Sequence, residues 1–302
     1  MNLLITGAFP CTEEQIDYIA SLGHKVVFMQ QEKDALPCDY TWVEGIIGNG
    51  IFLHHPIEKF TSLRFIQLTS AGFDRVPMDY INEKRIKIYN ARGVYSIPMA
   101  EFALSGVLAI YKNLDFFLQN QKEHIWEKHR DIQELFGKSV LIVGAGNVGQ
   151  ECAKRFSLMG CRVYGVDLAS FESEYFENIS VMNDLDSLLP LADIVVLTLP
   201  LTEETKNLFN QSKFEKMKNG AVFVNVSRGA VVNTNDLITA LNDNLGGAVL
   251  DVFETEPLEE SNPLWDMDNV IITPHNSFVG DGNNVRLFKV VLKNLQMGGA
   301  CE

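Results

Sequence analysis

The strongest constraint on this chain is the recurrence of short apolar runs, three to five residues long, separated by stretches of helical pattern. Runs this short, with crossovers between them, read as strands of a mostly parallel sheet covered by helices on both faces. A first series comprises Leu3-Leu4-Ile5-Thr6, Val26-Val27-Phe28, Gly45-Ile46-Ile47-Gly48, Phe65-Ile66-Gln67-Leu68-Thr69 and Ile86-Lys87-Ile88-Tyr89. Between the first two, Thr12-Glu13-Glu14-Gln15 fits a capping box, which predicts a helix running to Leu22 and stopping at Gly23. Pro98 suits a first helical position, and an apolar stretch follows from Met99 to about Gln119. A second series then runs through Val140–Val143, Arg162–Val166, Ile194–Thr198, Val222–Val226, Ala248–Val252 and Val270–Thr273, with Thr234 placed to cap a helix over Asp236 to Asn242. After a break at Gly280-Asp281-Gly282-Asn283, a last helix is predicted over about Asn284 to Gln296. It follows a completed sheet, so it is free to pack back on the first domain and make that domain discontinuous. The 302 residues agree with two domains at about 150 residues each.

Charge narrows the function. Lys plus Arg number 25 and Asp plus Glu 39, a net charge of −14. That balance argues against nucleic acid and against an anionic membrane surface, both of which demand clustered cations. The longest membrane-like run, Phe102 to Tyr111, falls well short of the ~20 residues that span a bilayer. The N-terminus has no cationic n-region. The five cysteines, Cys11, Cys38, Cys152, Cys161 and Cys301, form no C-x-x-C pair and read as reduced thiols of a cytoplasmic protein. No metal site is expected: only His54 and His55 adjoin, and neighbours on a strand would point apart.

The most specific motif is Gly144-Ala145-Gly146-Asn147-Val148-Gly149, between the apolar strand Val140–Val143 and the helix expected over Gln150–Leu158. Gly144 permits the tight turn, Gly146 lets the backbone approach a pyrophosphate, and Gly149 lets helix and strand pack closely. The helix start then faces the diphosphate with free amides and its positive dipole end. Asp167 ends the next strand, eighteen residues past Gly149, where its carboxylate can accept both ribose hydroxyls of NAD and repel the 2′-phosphate of NADP. No Arg or Lys follows in Leu168-Ala169-Ser170-Phe171, which favours NAD.

Three polar residues follow later strands: Arg228, Glu256 and His275. In open α/β sheets ligands bind outside the carboxyl ends of the strands. The residue types suit reduction of a 2-oxo acid. A histidine donates a proton to the carbonyl oxygen as hydride arrives at carbon. A guanidinium binds the substrate carboxylate and polarises the carbonyl. A carboxylate behind the imidazole fixes its tautomer and favours the protonated ring. Spacing alone leaves plainer readings open: Arg228 as a surface charge, Glu256 as one more solvated carboxylate beside Glu254, Glu259 and Glu260, and His275 as structural.

With these residues the chain resembles the D-isomer-specific 2-hydroxyacid dehydrogenase family along almost its whole length. The resemblance is carried by the glycine motif with Asp167, by Leu197-Thr198-Leu199-Pro200-Leu201-Thr202 followed by Thr205, by Asn225-Val226-Ser227-Arg228-Gly229, by Asp251-Val252-Phe253-Glu254-Thr255-Glu256-Pro257, and by Thr273-Pro274-His275. It implies two doubly wound α/β domains. A Rossmann NAD-binding domain, 98–276, is inserted in a flavodoxin-like substrate domain made of 1–97 plus 277–302. It implies Arg228, Glu256 and His275 as catalytic residues, and Ser70, Ala71 and Gly72 with Arg228 as binders of the substrate carboxylate. Gly144, Gly146, Asn147, Val148, Gly149, Asp167, Leu199, Pro200, Thr205 and Asp251 would contact the cofactor, Asp251 at the nicotinamide carboxamide. Closure of the domains over the substrate would hinge near Ser96-Ile97-Pro98 and Asn276–Gly282. A homodimer through the helix and arm after Pro98 would account for the apolar Phe102–Phe117 stretch and Trp126, which a buried core helix explains equally well. The chain departs from many members, which read Gly-Gly soon after the histidine; here the sequence is Asn276-Ser277-Phe278-Val279-Gly280. Arg75 and Arg92 sit in loops near the expected substrate cleft, where they could meet a substrate phosphate; structural or solvent-exposed roles are the plainer readings. Glyoxylate, hydroxypyruvate, a branched 2-oxo acid and 3-phosphohydroxypyruvate all stay open as substrates. Corepressors resembling this family keep the same three residue types, so an NAD-sensing interaction module is the alternative to an enzyme.

Overall fold

A computed structural model describes residues 1–298. The chain divides into two compact units: Met1–Tyr95 together with the segment from Gly280 onward, and Ser96–Val279.

The first unit opens with β1 (Asn2–Thr6), α1 (Glu13–Ser21), β2 (Lys25–Met29), β3 (Gly45–Gly48), β4 (Phe65–Leu68), α2 (Met78–Glu83) and β5 (Lys87–Tyr89). The capping box forms as read: Thr12 Oγ accepts from the Gln15 amide, and the Gln15 side chain accepts from the Thr12 amide. All pairings are parallel, in the order β2-β1-β3-β4-β5. That is the flavodoxin-like order, with its topological switch between β1 and β3.

The second unit contains α3 (Ser96–Tyr111), α4 (Leu114–Glu123), β6 (Ser139–Val143), α5 (Asn147–Leu158), β7 (Arg162–Asp167), β8 (Asn178–Val181), α6 (Leu185–Leu188), β9 (Ile194–Leu197), α7 (Gln211–Phe214), β10 (Val222–Asn225), α8 (Thr234–Asp243), β11 (Gly247–Leu250) and β12 (Val270–Ile272). Its parallel sheet runs β12-β11-β10-β9-β6-β7-β8, the Rossmann order extended by one strand. Alternation along the strands builds both layers. Leu141, Val143, Val195, Leu197 and Phe223 face a cluster with Phe209, Phe214 and Leu237, whereas Val140, Ile142, Ile194, Val196 and Val249 face Ala103, Val107, Cys152 and Phe156 on α3 and α5. Burial pushes the Cys152 thiol up to about 12 and Cys161 up to about 11, which leaves both inert near neutral pH. Cys301 lies outside the described residues.

The chain returns to the first unit with α9 (Asn283–Gly298). Leu287, Val291 and Leu295 pack with Ile19 against Leu3, Ile5 and Phe65. Two polar contacts set its register: Asn294 Nδ2 donates to buried Gln67 Oε1 at 2.7 Å, and Arg286 Nε donates to the Val94 carbonyl at 2.7 Å.

Several local expectations need correction. Pro98 is the third residue of α3, not the first; its missing N–H still falls among the amides that lack an intrahelical acceptor. The apolar stretch is not one helix to Gln119, because Asn113 turns left-handed at φ 48° between α3 and α4. Asn233, not Thr234, caps α8, its side chain accepting from the Asp236 amide. The helix after the glycine motif starts at Asn147 rather than Gln150. The second sheet has a seventh strand, β8, that the apolar pattern missed because only Ile179 in it is buried. His54 and His55 lie past a 3-10 turn, not on a strand, and His55 is buried against Tyr40 and the Glu32 carbonyl. Among the described residues no cluster of His, Cys, Asp or Glu is arranged to hold a metal, and no helix is long and apolar enough to cross a membrane.

The α3–β11 contact offers a test of core fit. A Cβ on Gly106 would lie 2.5 Å from Val249 Cγ1 and 2.7 Å from Cγ2. Gly106→Ala gains about 1 kcal/mol in helix propensity but incurs about 1–3 kcal/mol of overpacking against a buried strand paired on both sides. The expected result is a lower Tm; a raised Tm would show that α3 has room to shift.

Candidate active site

The glycine motif forms the first half of the site. Gly144 adopts φ 102°, and its N–H donates to the Val166 carbonyl at 2.8 Å. A Cβ on Gly149 would lie 2.1 Å from the Gly144 carbonyl oxygen, so the helix start and the turn touch as the motif requires. Gly146 is the N-cap of α5, makes no side-chain cap bond, and has open space where a Cβ would stand. The amides of Asn147, Val148 and Gly149 therefore begin the helix without a side-chain cap, a setting suited to a diphosphate. Asp167 ends β7; its Oδ2 accepts from the Ala145 amide and its Oδ1 from the Leu168 amide, both at 2.7 Å. Each oxygen keeps a lone pair for a hydroxyl donor. Leu199 and Pro200 follow β9, and the Thr205 hydroxyl donates to the Pro200 carbonyl at 2.8 Å. Thr198, quoted only as part of a motif, closes the turn by donating to the Gly144 carbonyl at 2.5 Å.

The second half is a ring of contacts at the carboxyl ends of β10, β11 and β12. Asn225, buried at the end of β10, accepts from the Ser227 amide (3.0 Å) and hydroxyl (2.8 Å), and donates to the Arg228 carbonyl (3.2 Å). These bonds fix the turn that presents Arg228, whose Nη1 donates to the Ser227 carbonyl at 2.8 Å. A Cβ on the next residue, Gly229, would lie 1.8 Å from the Phe253 carbonyl carbon. Only glycine lets the Arg228 turn press on the segment after β11. In that segment the Phe253 amide donates to Glu256 Oε1 at 3.0 Å, and Glu256 Oε2 lies 2.9 Å from His275 Nδ1. Both side chains keep about two-fifths of their surface in solvent, 42% for His275 and 37% for Glu256. Glu256 thus engages Nδ1 of His275 and not Nε2.

Asp251 joins these loops. It is fully buried. Its Oδ1 accepts from the Thr273 hydroxyl and the Asn276 amide, both at 2.7 Å, and its Oδ2 from the Ser277 amide at 3.0 Å. Its own amide donates to the Asn225 carbonyl (3.1 Å) and its carbonyl accepts from the His275 amide (2.8 Å). His275 itself is held left-handed, at φ 51°, a conformation that costs a non-glycine residue energy unless its surroundings enforce it. The pattern of residue types pointed to Arg228, Glu256 and His275 but not to the bracing by Asn225, Ser227 and Thr273. The one available signal was a polar residue ending each apolar strand. Ser70, Ala71 and Gly72 lie in the first unit, just past β4. There the Ala91 amide donates to the Ser70 carbonyl at 2.8 Å and Asn90 Nδ2 to the Ala71 carbonyl at 2.6 Å.

Comparison with known proteins decides the family. Residues 104–277 match the model of the D-isomer specific 2-hydroxyacid dehydrogenase NAD binding domain. The chain belongs to the D-isomer specific 2-hydroxyacid dehydrogenase family. It is an NAD-dependent oxidoreductase fold, and NAD is its cofactor. It is 32% identical to a hydroxypyruvate reductase of Blautia hydrogenotrophica over 247 residues, 79% of this chain and 76% of that one. It is also 32% identical to a D-3-phosphoglycerate dehydrogenase of Archaeoglobus fulgidus over 281 residues, 91% of this chain but 53% of that longer protein. A family crystal structure from Aeromonas salmonicida superposes with a TM-score of 0.82 at 30% identity, covering 99% of this chain and 96% of that one.

The buried carboxylate can be tested alone. In Asp251→Asn at least one amide hydrogen must face a donor that the carboxylate now satisfies. The expected loss of unfolding free energy is about 1–3 kcal/mol. An unchanged urea midpoint would mean that the loop 273–277 does not depend on Asp251.

Proposed function

We propose that this chain interconverts a small 2-oxo acid and the corresponding D-2-hydroxy acid, with Arg228, Glu256 and His275 as its catalytic residues. The observation that carries the reading is the 2.9 Å Glu256–His275 pair, tied through Phe253 and Gly229 to the turn bearing Arg228. NAD(H), when bound, supplies or accepts the hydride. Arg228 binds the substrate carboxylate and draws charge from the carbonyl. His275 gives the proton on Nε2 to the carbonyl oxygen as the hydroxy acid forms, and takes it back in the reverse direction. Glu256 keeps a proton on Nδ1, which fixes the tautomer and balances the charge of the protonated ring. The Asn147–Gly149 amides hold the diphosphate, and Asp167 the ribose hydroxyls, which makes NADP a poor substitute. Leu199, Pro200 and Thr205 line the same cofactor path; Asp251, expected at the nicotinamide carboxamide, is fully buried here and serves the site through the loop 273–277 that it holds. Ser70, Ala71 and Gly72 serve the substrate carboxylate.

The chain is expected to work in the cytoplasm as a homodimer. Support for a second copy comes from α4 and the extended segment after it. There Trp126 is 98% exposed, and Phe117, Ile125 and Trp126 line an open cavity of about 750 Å³. Exposed apolar surface of this kind marks an association site.

NADH oxidation followed at 340 nm, with glyoxylate, hydroxypyruvate, pyruvate, 2-ketoisocaproate and 3-phosphohydroxypyruvate, tests the reaction. The proposal expects turnover of one or two of these, a higher KM and lower kcat in Arg228→Gln, and NADH affinity nearly intact in that variant. NADH binding without turnover of any 2-oxo acid would instead favour an NAD-sensing interaction module.

A further inference from the structure

The carboxyl edge of the first unit's sheet holds a group that neither the catalytic proposal nor the sequence motifs use. The loop after β2 lies across the ends of β1 and β3, at the switch point where ligands of such sheets bind. Its Glu32 carboxylate is fixed from three sides. Oε1 accepts from the Thr6 hydroxyl at 2.8 Å and the Asn49 amide at 2.7 Å, and Oε2 accepts from the Gly50 amide at 2.7 Å. Two successive backbone amides converging on one anion make an anion-binding nest. Here the chain's own side chain fills it. The fit is built in: a Cβ on Gly48 would lie 2.6 Å from Glu32 Oε1 and 3.0 Å from Thr6 Oγ1. The Glu32 carbonyl is pinned as well, 3.0 Å from Nε2 of buried His55. Asn49 Oδ1 is buried there with no hydrogen-bond donor facing it. Arg75, exposed, is near: its Cδ would lie 3.8 Å from a Cβ on Gly50.

The loop proposed to serve the substrate carboxylate starts one strand away. The Thr69 amide donates to the Gly48 carbonyl at 2.9 Å, and Ser70–Gly72 follow directly. Adjacent parallel strands are about 4.8 Å apart. A second anionic group on a three- or four-carbon oxo acid would therefore meet Glu32 rather than free amides. We infer that Glu32 is a specificity-determining residue: it occupies the anion nest at Asn49 and Gly50, and so restricts this chain to 2-oxo acids with one negative charge, excluding phosphorylated and dicarboxylic ones. The inference rests on the proposed 2-oxo acid chemistry and on the first unit's carrying the substrate.

The experiment compares kcat/KM for hydroxypyruvate, 3-phosphohydroxypyruvate and oxaloacetate in the full-length wild type, Glu32→Gln and Glu32→Ala. Glu32→Gln keeps the side chain's shape and removes its charge; Glu32→Ala also frees both amides. The wild type should prefer hydroxypyruvate, and each variant should narrow that preference by about tenfold or more, since juxtaposed like charges cost several kcal/mol. Glu32→Gln alone decides the matter if Glu32→Ala does not fold. An unchanged preference in variants that still reduce hydroxypyruvate overturns the role of Glu32 and leaves the proposed reaction standing. So does a wild type that reduces the phosphorylated acid as well as the free one. A wild type that reduces no oxo acid overturns the proposed reaction, and this inference with it.

Discussion

A carboxylate with no access to water must be satisfied by the protein, and at Asp251 that requirement organises the half of the candidate site that carries Arg228, Glu256 and His275. Its side chain draws Thr273, Asn276 and Ser277 inward, while its backbone bonds to Asn225 on one side and His275 on the other. Removing water from a charge costs several kcal/mol unless hydrogen bonds replace it, so these loops are not free to drift. The left-handed backbone of His275 is one consequence, because the residue is held by its neighbours on both sides. The 2.9 Å contact with Glu256 is another: it joins two side chains that each keep much of their surface in water. An exposed pair of that kind contributes little by itself. Its geometry comes from the buried framework beneath it.

The two sheets place their sites by the same rule and fill them differently. The second unit leaves the start of α5 uncapped beside an open Gly146, ready for a diphosphate. The first unit closes its own carboxyl edge with Glu32, so its nest of amides is already satisfied. One fold principle thus yields a helix start open to an anion and a nest whose amides are already taken. The difference rests on whether a side chain of the chain itself reaches the amides.

Much of this was legible in the residues. Valine- and isoleucine-rich strands buried on both faces leave an unmistakable pattern, so the parallel α/β architecture and the strand-end positions of Arg228, Glu256 and His275 follow from it. Strand β8 escaped because one buried residue makes no pattern. The break between α3 and α4 escaped because a left-handed Asn113 interrupts a stretch that stays apolar on both sides. The bracing of the site was less visible for a different reason. Asn225, Asp251 and Thr273 read as polar residues at the ends of apolar strands, and their partners are mostly backbone groups, which leave no mark on the sequence. The same holds for Glu32, whose partners at Thr6, Asn49 and Gly50 are distant along the chain and, apart from one hydroxyl, leave no letter in it.

The central claim is that Glu256 acts on the substrate only through His275. A double-mutant cycle on kcat for oxo-acid reduction tests it most directly, using Glu256→Gln, His275→Gln and the double variant. Residues acting as one unit lose their function together. The account predicts that His275→Gln alone costs on the order of 10²–10⁴ in rate, and that adding Glu256→Gln costs almost nothing more. Losses that multiply across the two substitutions would contradict it, by showing that Glu256 contributes to the reaction independently of the histidine it contacts.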